Sequence, residues 1–454
     1  MARKRRILAA ALSLYTVLLL GGCQFSMTVD TLLSPPRLTE QQEQIYQALQ
    51  TATGNNISLK YPKSGERLSA FTVEDLDADG ENEAIVFYEV SMASAEENPL
   101  RFCLLDCENG VWRAITDYTT PGAAVECVIV SQLGSNDRTN LIIGYSMVNG
   151  GGYAVEVFHY GEDTLERTLT VPYTKMDIND LNGDGTNELL IVNAATLSAA
   201  ASAAVYALDE NGSYYQSQIS LNGLYSDISR IVYGRLPFGD TAAGSSMLRC
   251  ARGIYIDGVS GATTVQTEVL LYENQQLIPV YADSAERFPG STRSSACPTF
   301  DIDNDGEAEI PVQTVFYGYS EAADSERIAM TNWYVCRNGT LMREYSSYYS
   351  ANDGYAFLLP SRWEKAVTVV QEFGTIVFYV LDTEQTSAEG RPVVKQPLLR
   401  LAVVSDAVES NALQQEGYLL LRQQDGNHYL AKIEHTDRTL LLTQSELLFA
   451  MRYL

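Results

Sequence analysis

The sequence predicts a mainly β protein: a β-propeller-like repeat array of about five blade-like units, followed by a small α+β domain. Three observations lead there. Short apolar runs of β type, separated by turn residues, fill most of the chain. An acidic nine-residue segment recurs three times, each copy followed at once by such a run. An Asn-Gly pair, the strongest short hairpin signal, follows each copy at a similar offset: Asn109-Gly110, Asn211-Gly212 and Asn338-Gly339.

Composition sets the outer limits. At 454 residues and 46% hydrophobic, the chain can bury a sizeable core and is not wholly disordered. Against 57 Asp and Glu stand 31 Lys and Arg, a net charge of −26. Such a chain repels phosphate backbones, so no nucleic-acid partner is expected. His159, His428 and His435 are too few and too scattered for a His-rich metal centre.

The N-terminus reads as an address. Arg3, Lys4, Arg5 and Arg6 precede an apolar run, Ile7 to Leu20, too short for a membrane span of ~20 residues. It ends in Leu20-Gly21-Gly22-Cys23, which resembles the bacterial lipobox. The resemblance implies a lipoprotein signal peptide over 1–22, cleavage before Cys23 and a lipid on its thiol, since two or more acyl chains hold a protein stably on a membrane. The expected location is the outer face of a bacterial cell membrane. Residues 23–56 carry the lipidated cysteine, a tether closed by Pro35-Pro36, and a short helix. Thr39 and Gln42 form its capping box, Leu38, Ile45 and Leu49 line one face, and Gly54 stops it.

The repeat domain is expected over 57–347. Its acidic segments are Asp75 to Glu83, Asp180 to Glu188 and Asp301 to Glu309. The order within a unit reads as loop, three strands, Asn-Gly turn, strand, the size of a propeller blade. The segments lie about two such units apart, so degenerate copies should fall between them. Gln132 to Asn140, followed by Leu141-Ile142-Ile143, aligns with 180–188 without gaps but lacks its charge. Another unit is expected near Gly234, ending at Glu268 to Tyr272. Beyond it, 348–454 reads as a separate α+β domain. Its strands lie near Tyr355, Thr375 to Leu381 and Leu398 to Val404, followed by a hairpin around Asp425-Gly426 and a helix from Thr443 to Leu454.

The acidic segments have the chemistry of a hard cation. Ca²⁺ takes six to eight oxygens, and carboxylates at positions 1, 3 and 5 turn inward when a backbone curls around an ion. Gly at 6 permits the turn, the carbonyl at 7 adds an oxygen, and an acid at 9 closes the shell. The candidate ligands are Asp75, Asp77, Asp79, Glu81 and Glu83; Asp180, Asn182, Asp184, Thr186 and Glu188; and Asp301, Asp303, Asp305, Glu307 and Glu309. Position 12 is Val86, Ile191 or Val312 where an EF-hand needs Glu. The arrangement resembles the loops of FG-GAP/VCBS repeats, which implies structural Ca²⁺ at up to three sites and a propeller. The family's Phe-Gly and Gly-Ala-Pro elements are absent. With Asn182 replacing a carboxylate, the middle site should be weakest.

Six further cysteines, Cys103, Cys107, Cys127, Cys250, Cys297 and Cys336, read mostly as small buried residues with room for one bridge. Asp257 to Thr263 resembles a flavinylation motif but sits where a Gly-rich turn belongs, so no flavin is expected. No catalytic signature is found. The expectation is therefore a non-enzymatic, lipid-anchored calcium-binding protein that recognises a protein or carbohydrate ligand. One alternative is a surface enzyme acting on polysaccharide or cell-wall material; another makes the C-terminal domain the binding module and the array a spacer.

Overall fold

The computed structural model describes residues 38–91, 98–221, 224–238, 249–280, 292–337, 339–385, 390–434 and 439–454. The signal segment, Cys23, the tether and Asn338 lie outside the described residues. The rest is mainly β, built as six antiparallel sheets with three α-helices among the described residues. None of those helices is long and apolar enough to cross a membrane.

Helix α1 (Glu40–Thr53) forms as its sequence dictates. Thr39 Oγ1 accepts from Gln42 N at 3.2 Å, and Gln42 Oε1 accepts from Thr39 N at 3.1 Å. Ile45 and Leu49 are its buried stripe.

Five of the sheets are built on a short meander, and in the sixth Asn427–Ile433 lies between Val394–Val404 and Leu419–Gln424, out of chain order. The first contains Phe71–Glu74, Glu83–Val90, Leu100–Glu108 and Val111–Thr119, with Ile57–Leu59 added beside Glu83–Val90. The second spans 122–173, the third 175–220 and the fourth 227–279, with Arg293–Ser294 added beside Thr264–Glu273. In the fifth, Ile310–Val315, Ala329–Arg337, Thr340–Ser350 and Tyr355–Leu358 lie in order. The sixth spans 367–433. Acidic loops join the first strand of a sheet to its second, and the Asn-Gly turns join the third to the fourth. Two strands, not three, therefore separate loop from turn; the remaining strand of the unit precedes the loop. In the fifth sheet that preceding strand shrinks to one bridge, Phe300 with Glu309.

Packing explains why strands such as Glu83–Val90 are apolar on both faces. Leu76, Ile85, Phe87 and Phe102 of the first sheet pack on Val128, Ile143 and Phe158 of the second. The second then packs on the third, the third on the fourth, the fourth on the fifth and the fifth on the sixth, each pair through its own core. The outer face of the first sheet, Ala84, Val86 and Tyr88, is covered by α1. Helix α2 (Ala407–Gln415) packs against the sixth. Among the described residues no core cluster joins the first sheet to the sixth, and no closed ring is seen.

Several expectations are corrected here. There are six sheets rather than about five units, because Val367–Glu372 begins a further meander within the region read as a separate α+β domain. The boundary at 347/348 falls inside Thr340–Ser350, and one core containing Trp333, Trp363 and Phe378 spans both sides. The C-terminal helix α3 (Gln444–Ala450) is shorter than its spacing implied. Met451–Tyr453 turns into a strand that pairs with Tyr355–Leu358, supplying that edge with backbone partners. All six described cysteines are free, so the possible bridge is absent among them.

Candidate metal centres

The three acidic loops fold alike because the same side chains bond the same backbone groups. The acid at position 1 accepts from the glycine at 6: Gly80 N to Asp75 Oδ2 at 3.1 Å, Gly185 N to Asp180 Oδ2 at 3.0 Å, Gly306 N to Asp301 Oδ2 at 2.8 Å. The acid at 5 accepts from the amide at 7, at 2.8, 2.8 and 2.7 Å for Glu81, Thr186 and Glu307. The glutamate at 9 reaches back to the amide at 2: Leu76, Leu181 and Ile302, at 2.6, 2.9 and 2.8 Å. The glycines at 6 hold φ of 91°, 91° and 92°, a conformation that side chains with a Cβ rarely adopt.

These bonds leave oxygens facing inward. Carboxylate oxygens of Asp301, Asp303, Asp305 and Glu309 lie within 4.8 Å of one another, as do those of Asp75, Asp77 and Glu83. Glu188 and Glu309 are 1% and 0% exposed, yet Oε1 of each has no hydrogen-bond partner; Asp75 Oδ1 is likewise orphaned. Buried polar atoms are rarely left so, and a cation is the species that would satisfy several anionic oxygens at once. Burial first, then the neighbouring aspartates, pushes the carboxyls of Glu83 and Glu188 up to about 7 and that of Glu309 up to about 8. The donor set is all oxygen, which fits Ca²⁺.

Other predicted ligands divide by what their side chains already do. Glu307 is held by Arg235 at 3.3 Å and Arg337 at 3.0 Å, so its carbonyl is the oxygen left for an ion. Glu81 Oε2 accepts from Asn109 N at 3.3 Å, which ties the first loop to the Asn-Gly turn of its own sheet. Asp79 stands outside the convergent group of the first loop. In the middle loop, Asn182 Nδ2 donates to Asp184 Oδ2 at 2.8 Å and Thr186 Oγ1 donates to Asp184 Oδ1 at 2.6 Å. Burial opposes ionisation of Asp184, but these donors outweigh it and hold the carboxyl below its ordinary value. Asp180, Asp184 and Glu188 do not converge as the acids of the outer loops do.

The degenerate loop 132–140 shows what replaces a cation. Gln132 Nε2 donates to Asp137 O and Asn140 Nδ2 to Arg138 O, both at 3.0 Å. Asn136 Oδ1 still accepts from Arg138 N at 2.9 Å, the turn that Asp79, Asp184 and Asp305 make. Amide donors have taken over loop carbonyls, and the curl survives without charge. In the sixth sheet the loop has shrunk to the turn Phe373-Gly374. The flavin-like segment is structural: Asp257 is buried and paired with buried Arg293 at 3.0 Å.

No protein-family model matches the chain, and no curated protein does. Among solved structures, three likenesses are distant. A protein from Lactobacillus plantarum aligns with 74% of this chain and 85% of its own, at 10% identity and a TM-score of 0.28. A GH43 β-1,3-galactosidase with galactodeoxynojirimycin aligns with 66% of this chain and 96% of its own, at 8% and 0.22. An exo-β-1,3-galactanase from Phanerochaete chrysosporium with β-1,3-galactotriose aligns with 77% and 81%, at 11% and 0.23. Two of these three are named as enzymes, a galactosidase and a galactanase, which runs against the expectation of a non-enzymatic protein. TM-scores this low assign neither a fold nor an activity to the chain.

Proposed function

We propose that the protein is a calcium-binding β-repeat protein of propeller-like design, related in its loops to FG-GAP/VCBS repeats and held by a lipid on Cys23 to the outer face of a bacterial cell membrane. There it engages polysaccharide or another surface protein. The observation that carries the calcium reading is the repeated hydrogen-bond pattern of the three loops, each of which encloses a carboxylate oxygen that no protein donor satisfies: Asp75 Oδ1, Glu188 Oε1 and Glu309 Oε1. Each ion would join the end of one strand to the start of the next and neutralise acids that otherwise repel one another. At 301–309 it would also steady the joint with the fourth sheet, where Arg235 N donates to Gly306 O at 2.6 Å. Signal cleavage and lipidation rest on residues 20–23 of the sequence.

Calorimetry on EGTA-stripped protein tests the metal. Calcium should give a heat of binding and raise the melting temperature, with magnesium far less effective. Absence of both effects would overturn the assignment. The second reading, a surface enzyme acting on polysaccharide or cell-wall material, is favoured by three glutamates outside the loops, Glu344, Glu364 and Glu446, that line one cleft. Release of reducing ends from cell-wall polysaccharide, lost on changing those glutamates to glutamine, is its test.

A further inference from the structure

The cleft between the fifth sheet and α3 shares a wall with the loop 301–309. It encloses about 380 Å³, within the ~300–1,000 Å³ of small-molecule sites. Strand Thr340–Ser350 forms that wall and carries a bulge there. Trp333 pairs with Tyr345 and Tyr334 with Arg343, leaving Glu344 as the extra residue. Bulges of this kind re-aim a side chain and are frequent beside binding sites. Tyr345 lines the cleft, and its hydroxyl donates to Asp303 Oδ2 at 2.7 Å. Arg337, which holds Glu307 at 3.0 Å, stands 3.7 Å from Glu344. Two adjacent wall residues are thus tied to positions 3 and 7 of one calcium loop.

The lining selects a class of ligand. Arg343 pairs with Glu364 at 2.8 Å and Arg362 with Glu446 at 2.7 Å, so the cleft holds no large unbalanced charge for an ion to seek. A carboxylate beside a guanidinium offers acceptor and donor at one place, which suits hydroxyl groups that do both. The Phe449 ring, 64% exposed overall and with the Arg452 guanidinium 4.8 Å from its centroid, and Tyr317 supply flat apolar faces. Aromatic faces beside paired hydrogen-bonding groups match a neutral sugar ring, apolar on its faces and polar at its edge.

We infer that this cleft binds a short neutral oligosaccharide and that calcium in the loop 301–309 sets its affinity through Tyr345 and Asp303. The inference rests on the calcium reading of that loop. An ion that draws Asp303 inward fixes the partner of the Tyr345 hydroxyl, and with it the cleft wall. The phenol in turn orients a metal ligand, a role whose loss costs ~10–100-fold in metal affinity.

Titration calorimetry on the full chain tests this, with β-1,3-galactotriose and tri-N-acetylchitotriose as probes, in 10 mM calcium and in EGTA. At least one trisaccharide should bind in calcium and at least tenfold more weakly in EGTA. Tyr345→Phe should retain trisaccharide binding but abolish the difference between the two conditions. Phe449→Ser should remove trisaccharide binding and leave the calcium heats unchanged. Normal calcium heats with no trisaccharide binding, or binding that EGTA does not weaken, would overturn the inference while leaving the calcium reading intact. Absence of calcium heats would overturn both.

Discussion

Glu309→Gln should have opposite effects on the calcium-free and the calcium-bound protein. In the unfolded chain this carboxyl ionises near its ordinary 4.5; in the folded calcium-free protein burial, then Asp303, Asp301 and Asp305, push it up to about 8. Between those values the folded state keeps a proton that the unfolded state has released. The contribution of Glu309 to stability is therefore intact below pH 4.5 and lost as pH rises through about 8. At ~1.4 kcal/mol per pH unit the whole gap is worth about 5 kcal/mol. Partly exposed aspartates are screened by water, so half of that, about 2–3 kcal/mol, is the working figure. Glutamine keeps an oxygen for Ile302 N and never ionises. The calcium-free variant should then be more stable than wild type by about 2–3 kcal/mol at pH 7.5, with the gain vanishing toward pH 4.5. Calcium at ten times its dissociation constant stabilises by RT ln 11, about 1.4 kcal/mol per site. Extracellular sites of ~10⁻⁴–10⁻³ M make about 10 mM sufficient. The variant should lack the increment belonging to its own loop. Urea unfolding followed by tryptophan fluorescence is the assay, because Trp333 meets Phe300, the residue before Asp301, at 5.3 Å between ring centroids. A calcium-free variant less stable than wild type across pH 5–8, or an undiminished calcium increment, would refute the reasoning.

Cys23→Ser should be released or unprocessed, and a clickable fatty acid should label wild type only; equal labelling removes the lipid anchor. Asn136→Ala should leave calcium stoichiometry unchanged and cost about 1 kcal/mol in urea unfolding, since it loses the bond to Arg138 N. Gly234→Val should weaken calcium binding at 301–309 and leave 75–83 alone. A Cβ there meets Ala308 N at 2.7 Å, and overpacking of this kind costs ~1–3 kcal/mol; site-resolved calcium titration separates the loops. Hydrogen bonds from Arg362 and Thr443 hold Glu446 down to about 2, so its contribution is present above pH 4.5 and lost as pH falls through about 2. Arg362→Ala should cost no more than about 1 kcal/mol at pH 7 for so exposed a pair, and nothing near pH 2 in acid unfolding.

The loops were legible because their chemistry is local: nine consecutive residues contain both the turn and the ligands. Thr39, Gln42 and Gly54 announced α1 for the same reason. Turns without glycine escaped notice. Glu162-Asp163 and Asn274-Gln275 hold φ between 50° and 62°, so their sheets have the two-residue hairpin without its usual sequence. The sixth sheet was hidden because Phe373-Gly374 stands where the acidic loop would mark a repeat. Helix α2 had a visible start in Asp406, which accepts from Val408 N at 2.7 Å, but no apolar stripe to extend the signal. Met451–Tyr453 reads as helix locally and becomes strand only because a distant edge is available to it. The cleft gave no sequence signal: its walls come from residues near 317, 345, 360 and 446, which only the packing of α3 against the fifth sheet brings together.

The placement of acidic loops follows an electrostatic logic that spans the array. They fall in the first, third and fifth sheets, and the second carries between two of them the loop 132–140, whose Asp137 and Arg138 leave it without net charge. Like charges on adjacent edges would repel with little salt screening at short range; alternation keeps them apart. The fourth sheet adds positive charge instead. Arg252 Nη1 donates to Asp180 O at 3.0 Å on one side, and Arg235 reaches Asp305 Oδ2 at 3.9 Å and Glu307 on the other. Among the described residues no lysine or arginine pairs with Asp75, Asp77 or Asp79. Loop 75–83 therefore depends most on a cation for neutralisation, while the loops that flank the fourth sheet carry part of theirs in the chain. Helix α1 covers the far face of the same first sheet, so this end keeps its core even when the ion leaves.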